Sequence, residues 1–513
     1  METNSTSYKL LKNLSYSLIG FTWPIIFSLL ITPVVVKRLG TEDYGIYLLI
    51  GTITAFLALL DLGLTAAMVK FVSENYTKGE SEENQKLFNF ANTNYLVIGV
   101  VGLLVYGVLG IFFLNIFHID GYAVRNIMPV FILSGLIFFV SSVNSVFVLI
   151  PQALQRYDII TKLNMFQLTA SSLVMLVLVL QGFQLKAIFL SNLIIYIIVS
   201  LLYRRFAKRL MPDFKLGFSL EKKFFSKVYG FGIYAALANI TNNALQQFDR
   251  LFIPAFLGPA QLSYYGIAGS VSSKTALVVG SLSNVFFPMS SSLIAEGKAE
   301  MLGDIYRRII RNLAVFASAI TLSILLFSDK ILLFWLNKDF ADKSNSSLVV
   351  LAFTYFILAL YGTLYHFILG LGQVKFLAKW STCLAALNVV LLFILVPKYG
   401  ILGAAWAYFL ATLPLLFMFY WVEKKFLKLS GIFRFYLKLF AKIISTGLAF
   451  FLFGMYGIIP LVNGLISLVI LGPLSILIYL LIYKLFGFYN TEDEELIRSF
   501  IKKILVKFNL AHE

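Results

Sequence analysis

Apolar residues in this chain fall in long runs separated by short polar stretches, not at every second position. A helix needs roughly 20 apolar residues to cross a bilayer, whereas period-two alternation would point to a membrane barrel. The runs predict fourteen spans, over about 14–36, 46–70, 91–116, 127–150, 160–181, 185–203, 230–256, 264–288, 311–334, 347–370, 377–396, 400–421, 436–458 and 461–485. The fifth and sixth are separated only by Gln181-Gly182-Phe183-Gln184. The expected fold is an all-α polytopic membrane protein.

One span departs from the uniform apolar pattern. The seventh carries Asn239, Asn242 and Asn243, Gln246, then Asp249 and Arg250, at steps of three and four. Those steps put the polar groups on one helical face. Such a face is expected to look onto protein or a water-filled cavity rather than lipid. The span ends in Phe256-Leu257-Gly258-Pro259 and is followed by Tyr265-Gly266-Ile267, while the first ends in Arg38-Leu39-Gly40 and is followed by Tyr44-Gly45-Ile46. The seventh span thus opens a second copy of the architecture begun at the N-terminus.

Further matches support the duplication. At an offset of 218, Leu39-Gly40 meets Leu257-Gly258, Gln155 meets Gln373, Gly182 meets Gly400 and Ala187 meets Ala405; the Tyr-Gly-Ile pairs need 221. With six spans per copy, both copies enter the membrane from the same side. The repeats are therefore parallel, related by an axis along the membrane normal. The expected organisation is a first six-helix lobe over 1–210, a basic cytoplasmic linker over 211–229 and a second six-helix lobe over 230–430. Two further spans occupy 431–487, and a cytoplasmic amphipathic tail over 488–513 begins with the capping box Thr491-Glu492-Asp493-Glu494.

Charge sets the topology. The formal net charge of +17 would suggest nucleic acid in a soluble protein. Here 32 Lys/Arg fall in the loops and flanks assigned to the cytoplasm and 8 outside, with Arg250 and Lys274 inside spans. That bias is the positive-inside signature, so the charge is topological and no nucleic-acid partner is expected. Both termini are expected in the cytoplasm, and the first span reads as a retained helix rather than a cleaved signal. A lone cysteine, Cys383, and scattered His118, His366 and His512 give no disulfide and no expected metal site.

The buried charges are the candidate chemistry. A charged side chain at a helix centre costs on the order of 2.5–3.5 kcal/mol on insertion scales. Arg250 and Lys274 would bind an anionic group, Arg through its planar fork and Lys as a point charge; Asn239, Asn242 and Gln246 would suit sugar hydroxyls. The alternatives are an ion pair of Lys274 with Asp61 or Asp249, and snorkelling of Arg250 to the outer interface. Asp61 and Asp249 are coupling sites or structural charges. Asn144 and Gln152 on the fourth span form a weaker version of the polar stripe. The external loops are short, the longest running from Leu336 to Ser347, and hold no carboxylate cluster suited to catalysis. No enzymatic activity and no cofactor are expected.

The chain resembles the polysaccharide (O-antigen and capsule) flippases of the MATE-like exporter superfamily. The likeness rests on Lys37-Arg38-Leu39-Gly40-Thr41-Glu42-Asp43-Tyr44-Gly45, on Leu60-Asp61-Leu62-Gly63-Leu64, and on Asp249-Arg250, Phe256-Leu257-Gly258 and Tyr264-Tyr265-Gly266. It implies a V-shaped pair of lobes working by alternating access in the bacterial cytoplasmic membrane. The implied substrate is an undecaprenyl-pyrophosphate-linked oligosaccharide, with the prenyl tail in lipid along the last two spans. It also implies proton or sodium coupling, typical of relatives, and polysaccharide polymerase and chain-length machinery as protein partners. A multidrug exporter of the same fold, a lipid II flippase and an integral membrane glycosyltransferase are the competing readings. A drug site would more naturally offer carboxylates and aromatics to a cation. A lipid II flippase would be expected to place several arginines in the first lobe, and a glycosyltransferase would depend on an external carboxylate such as Asp342.

Overall fold

A computed structural model describes residues 23–24, 27–117, 124–212, 214–219, 221–226, 228–229, 246–283 and 301–489. These are overwhelmingly helical, and no strand occurs among them. Residues 27–39 are helical and precede α1 (Thr41–Leu57), α2 (Leu64–Lys78), α3 (Ser81–Phe117), α4 (Val124–Ala153), α5 (Tyr157–Leu180) and α6 (Leu185–Leu210). Next come α7 (Asp249–Leu257), α8 (Pro259–Ser272) and α9 (Lys274–Ser283). Then follow α10 (Met301–Leu326), α11 (Ser328–Trp335), α12 (Lys338–Gly370), α13 (Val374–Thr412), α14 (Pro414–Lys425), α15 (Ile432–Phe453) and α16 (Leu465–Leu485).

Among the described residues, ten helical stretches are long and apolar enough to cross a membrane. One of them, Lys375–Lys425, covers both the eleventh and twelfth expected spans, which meet at a non-helical Gly400. The first, seventh and eighth expected spans are only partly described, and the amphipathic tail lies outside the described residues. The fold is thus an all-helical polytopic membrane architecture consistent with fourteen spans. The loop expected from Leu336 to Ser347 is shorter than the sequence suggests, because α12 begins at Lys338. Its start is capped by Asn337, whose side chain accepts the Phe340 N–H at 3.0 Å.

The chain divides into two compact units, one of residues 1–266 with 378–389 and 396–401, the other of 267–377, 390–395 and 402–513. In the first unit glycines of α3 receive phenylalanine rings of α4. A Cβ on Gly102 would stand 2.1 Å from the Phe138 ring. Lipid tails are as apolar as leucine, so such close approach, with its dispersion contacts, is what holds membrane helices together. In the second unit α12 is central, with 78% of its most apolar stretch buried, against 17% for the lipid-facing α16. Hydroxyl pairs stitch this unit, including Ser318 to Tyr479 at 2.9 Å, Ser475 to Ser323 at 2.8 Å and Ser283 with Thr363 at 2.7 Å.

The repeat is visible in local backbone geometry. Gly40 has φ 84°, ψ 169° and Gly258 φ 83°, ψ 163°. At the turn after the fourth span of each copy, the sequence match of Gln155 to Gln373 is displaced by one residue. Gln155 has φ 55° and its structural counterpart is Gly372 at φ 71°. The hydrogen bonds agree, with Arg156 N–H reaching Pro151 O and Gln373 N–H reaching Ile368 O.

The second expected span is not one continuous helix. After α1 the chain tightens into a 3₁₀ turn, Ala58–Asp61, then passes through left-handed Leu62 (φ 45°) and Gly63 (φ 81°) before α2 begins. This break frees N–H groups at the start of α2, and Asp61 takes up the one at Thr65. Its carboxylate accepts the Thr65 backbone N–H at 3.2 Å, the Thr65 hydroxyl at 2.9 Å and the Tyr95 hydroxyl at 3.1 Å. A carboxylate at a helix N-terminus also gains from the macrodipole. The Leu60-Asp61-Leu62-Gly63-Leu64 motif is therefore a capped break.

The segment after α6 is a strap, not a free tether. Residues 214–219 run extended along α3. Gln85 accepts the Lys215 N–H at 3.0 Å and donates to the Lys215 carbonyl. Asn92 donates to Gly217 O at 2.9 Å, and Thr93 accepts the Ser219 N–H at 3.0 Å. Phe214 packs edge-on against Phe88, with ring centroids 4.9 Å apart. Gln85, Asn92 and Thr93 share one face of α3, so the helix offers the strap the partners that a neighbouring strand would.

Two outcomes follow. Asp61→Leu removes the cap and should lower stability by about 1–2 kcal/mol, the usual scale for a cap, read as a lower midpoint of thermal unfolding in detergent; Asp61→Asn, which keeps an acceptor, should lose less. Replacing Gln85 and Asn92 together by alanine should speed trypsin cleavage after Lys215 several-fold. An unchanged rate would mean that the aromatic anchors alone hold the strap.

Candidate functional site

The glycines of the duplicated Tyr-Gly-Ile motif mark direct helix contacts. A Cβ on Gly45 would lie 1.9 Å from the Pro259 carbonyl oxygen, and one on Gly266 would lie 2.6 Å from Leu48. Ser263 donates to the Thr41 carbonyl at the same crossing. All of these residues belong to the first unit, so α7 and the start of α8 are held tightly against α1. That packing positions Asp249 and Arg250.

Asp249 is 2% exposed. Its carboxylate accepts a hydrogen bond from the Tyr265 hydroxyl and another, at 2.9 Å, from the backbone N–H of Arg250. A buried charge needs such partners, and here they come from a phenol and from the turn of its own helix. Asp249 is thereby tied to the frame of the site. Arg250, one residue on, is half-buried, and Gln246 stands half-buried just before α7. Asn239 and Asn242 lie outside the described residues.

Lys274 belongs to the second unit. It is half-buried and is the first residue of α9, just after the chain breaks at Ser273. The serines around that break bond to nearby carbonyls, Ser270 to Ile267 at 2.9 Å and Ser273 to Ser270 at 3.2 Å. Such local bonds compete with the helical ladder and loosen it. A lysine at a helix start faces the positive end of the dipole, so its own helix disfavours the charge and an anion would be favoured there. In its own unit the described ion pair is elsewhere, between Lys343 and Asp339 at 2.7 Å. The two candidate cations are therefore carried by separate compact units, each on the second-half helices that follow the linker.

Several polar residues stand out only in three dimensions. Tyr95 completes the Asp61 cluster, its hydroxyl also 2.7 Å from the Thr65 hydroxyl. Inside the first unit, α4, α5 and α6 surround a polar cavity of about 220 Å³. Asn144 and Gln152 line it, as their spacing on the fourth span hinted, and so do Asn164, Gln167, Tyr196 and Tyr203. The latter four sit singly in otherwise apolar runs, and only a helical-face count of α5 against α6 would have drawn them together. In the second unit Glu423, which in sequence reads as part of a surface Glu-Lys-Lys run, is fully buried and accepts a hydrogen bond from Tyr436. His366 packs edge-on to Tyr365, ring centroids 5.6 Å apart, at the end of α12. Among the described residues no group of three or more His, Cys, Asp or Glu is placed to hold a metal.

Residues 34–345 match the polysaccharide biosynthesis protein family. A Shigella flexneri protein described as a candidate O-antigen transporter is 21% identical over 397 residues, 77% of this chain and 93% of that one. The membrane protein EpsK of Bacillus subtilis, itself uncharacterized, is 22% identical over 387 residues, 74% of this chain and 75% of its own length. Among solved structures, the lipid II flippase MurJ in an inward closed conformation aligns with a TM-score of 0.66 at 14% identity, covering 93% of this chain and 98% of MurJ. An inward-facing multidrug-resistance MATE transporter of the MOP superfamily aligns with a TM-score of 0.65, also at 14% identity, covering 84% of this chain and 99% of the transporter. Those last two likenesses speak to the fold, and the family match to descent. The chain belongs to the polysaccharide biosynthesis protein family and is a multi-pass membrane protein that shares the fold of these MATE and MurJ structures.

Proposed function

We propose that the protein is a flippase that carries an undecaprenyl-pyrophosphate-linked oligosaccharide from the cytoplasmic to the outer leaflet of the bacterial cytoplasmic membrane. The glycan would serve surface polysaccharide synthesis, O-antigen or capsule, and the transport cycle would be alternating access. The observation that carries this reading is that each compact unit holds a half-buried cation within a span, Arg250 in one and Lys274 in the other, in a member of the polysaccharide biosynthesis family. A pyrophosphate is the part of such a substrate that needs cations, and a fork and a point charge serve it in complementary ways. Gln246, with Asn239 and Asn242, would meet the adjoining sugar hydroxyls.

The prenyl chain needs no polar partner and would remain in lipid. An apolar groove of about 290 Å³ in the second unit, lined by Leu322, Phe353, Phe440, Ile444, Leu448 and Phe451, suits such a chain. Asp61 and Asp249 are both hydrogen-bonded into the frame, which favours structural roles over direct coupling to a proton or sodium gradient. Protein partners would be the polymerase and chain-length machinery that consume the exported unit.

Export should fall at least ten-fold in Lys274→Ala and in Arg250→Ala, and less in Lys274→Arg. The readout is lipid-linked oligosaccharide retained in cells with intact sugar assembly. Near-normal export by the double alanine variant would remove the anionic-site reading. Sensitivity to cationic dyes with normal surface glycan would replace it with drug export, and a build-up of lipid II with lipid II flipping. For orientation, Cys383 is first replaced by serine; a cysteine at exposed Asp342 should then react with an impermeant maleimide from outside, and one at exposed Lys222 only after permeabilisation. The opposite pattern would invert the topology.

A further inference from the structure

We infer that the polar cavity within the first half of the chain is a glycan subsite that takes one uncharged sugar ring; this rests on the flippase reading. The cavity is built by α4, α5 and α6, with Thr65 of α2 at its edge, and lies apart from Arg250 and Lys274 in the sequence of helices. Among the described residues its lining includes no charged side chain. It therefore offers nothing to a pyrophosphate and no carboxylate to a cation. It does offer primary amides, each with two donors and an acceptor of two lone pairs. Vicinal hydroxyls, each donor and acceptor at once, complement that pattern.

The amides are partly committed in a way that leaves ligand-binding capacity. Tyr203 donates its hydroxyl to Asn164 Oδ1 at 3.1 Å, which orients that amide and leaves its NH₂ to donate. Gln167 meets the Tyr196 hydroxyl. Asn144 lines the cavity while its Oδ1 is turned into protein. Asp61 is screened from the cavity by Thr65, whose hydroxyl already bonds to it and to Tyr95. The volume, about 220 Å³, leaves room for a pyranose ring. The two ends of a lipid-linked sugar thus find different chemistry, with neutral amides and phenols in the first half and cations on the second-half helices.

The test uses the full chain in nanodiscs and the methyl glycosides of glucose, galactose and N-acetylglucosamine as probes, followed by saturation-transfer NMR, with ²²Na⁺ binding in parallel. At least one glycoside should bind. Asn144→Leu and Gln167→Leu should weaken it ten-fold or more, Asn144→Ser should weaken it less while keeping the fold, and a change at exposed Lys223, Lys223→Ala, should leave it unchanged. Monodisperse elution and an unaltered unfolding midpoint qualify each variant. If no glycoside binds the wild type, the inference is overturned. It is equally overturned if Asn144→Leu and Asn144→Ser abolish sodium binding and spare the glycoside, which would make the cavity a cation site. Absent glycoside binding, alongside retained lipid-linked sugar in cells lacking the protein, removes the subsite and leaves the transport reading standing. Asn144-dependent binding without that retention upholds the subsite and removes the transport reading.

Discussion

Within a bilayer no water reaches a freed backbone group, so every interruption of a helix must be repaired from inside the chain. This constraint explains more of the molecule than any single contact. At the break between α1 and α2, the repair is a carboxylate with a threonine and a tyrosine gathered around it. At Ser273 the backbone itself bridges the interruption, the Ser273 N–H reaching Gly269 O and the Leu277 N–H reaching Ser273 O. The charge at Asp61, costly on any insertion scale, thus stands where it is needed to close a helix start.

The same constraint explains what was legible in the sequence. Long apolar runs can only be helices at this depth, so the all-helical architecture and most span positions follow from hydropathy alone. The charge bias among loops and the Leu-Gly and Tyr-Gly-Ile matches point to two parallel copies, and the equal dihedrals at Gly40 and Gly258 bear that likeness out at the backbone. Helix breaks were hidden, because Leu62 and Gly63 interrupt an apolar run without changing its hydropathy. The turn at Gln155 was misaligned by one residue because a left-handed position can be filled by glutamine in one copy and glycine in the other, and identity matching sees only the shared glutamines.

The candidate site was legible in part, for a related reason. A charged or amide residue in an apolar run announces itself, which is how Arg250, Lys274 and the polar stripe of the seventh span stand out. Groups that act together from different helices do not, since Asn164, Gln167, Tyr196 and Tyr203 are each isolated in their own runs. Tyr265 illustrates the limit, because nothing in its local sequence says that its hydroxyl serves Asp249 sixteen residues earlier. Glu423 illustrates the converse, a residue beside two lysines that is nonetheless fully buried.

The strap along α3 bears on how the chain is made. Every residue that pins it, from Gln85 to Thr93, is translated more than a hundred residues before the strap itself, and the aromatic rings that receive Phe214 belong to α3 and α4. When Ser219 leaves the ribosome, all of its partners are already in place, and nothing downstream is required to seat it. Because synthesis runs N-terminal first at about 5–20 residues per second, the seam between the strap and α3 can close while the seventh span is still inside the translation machinery. The strap is thus fastened to α3 before α7 and the helices after it enter the membrane.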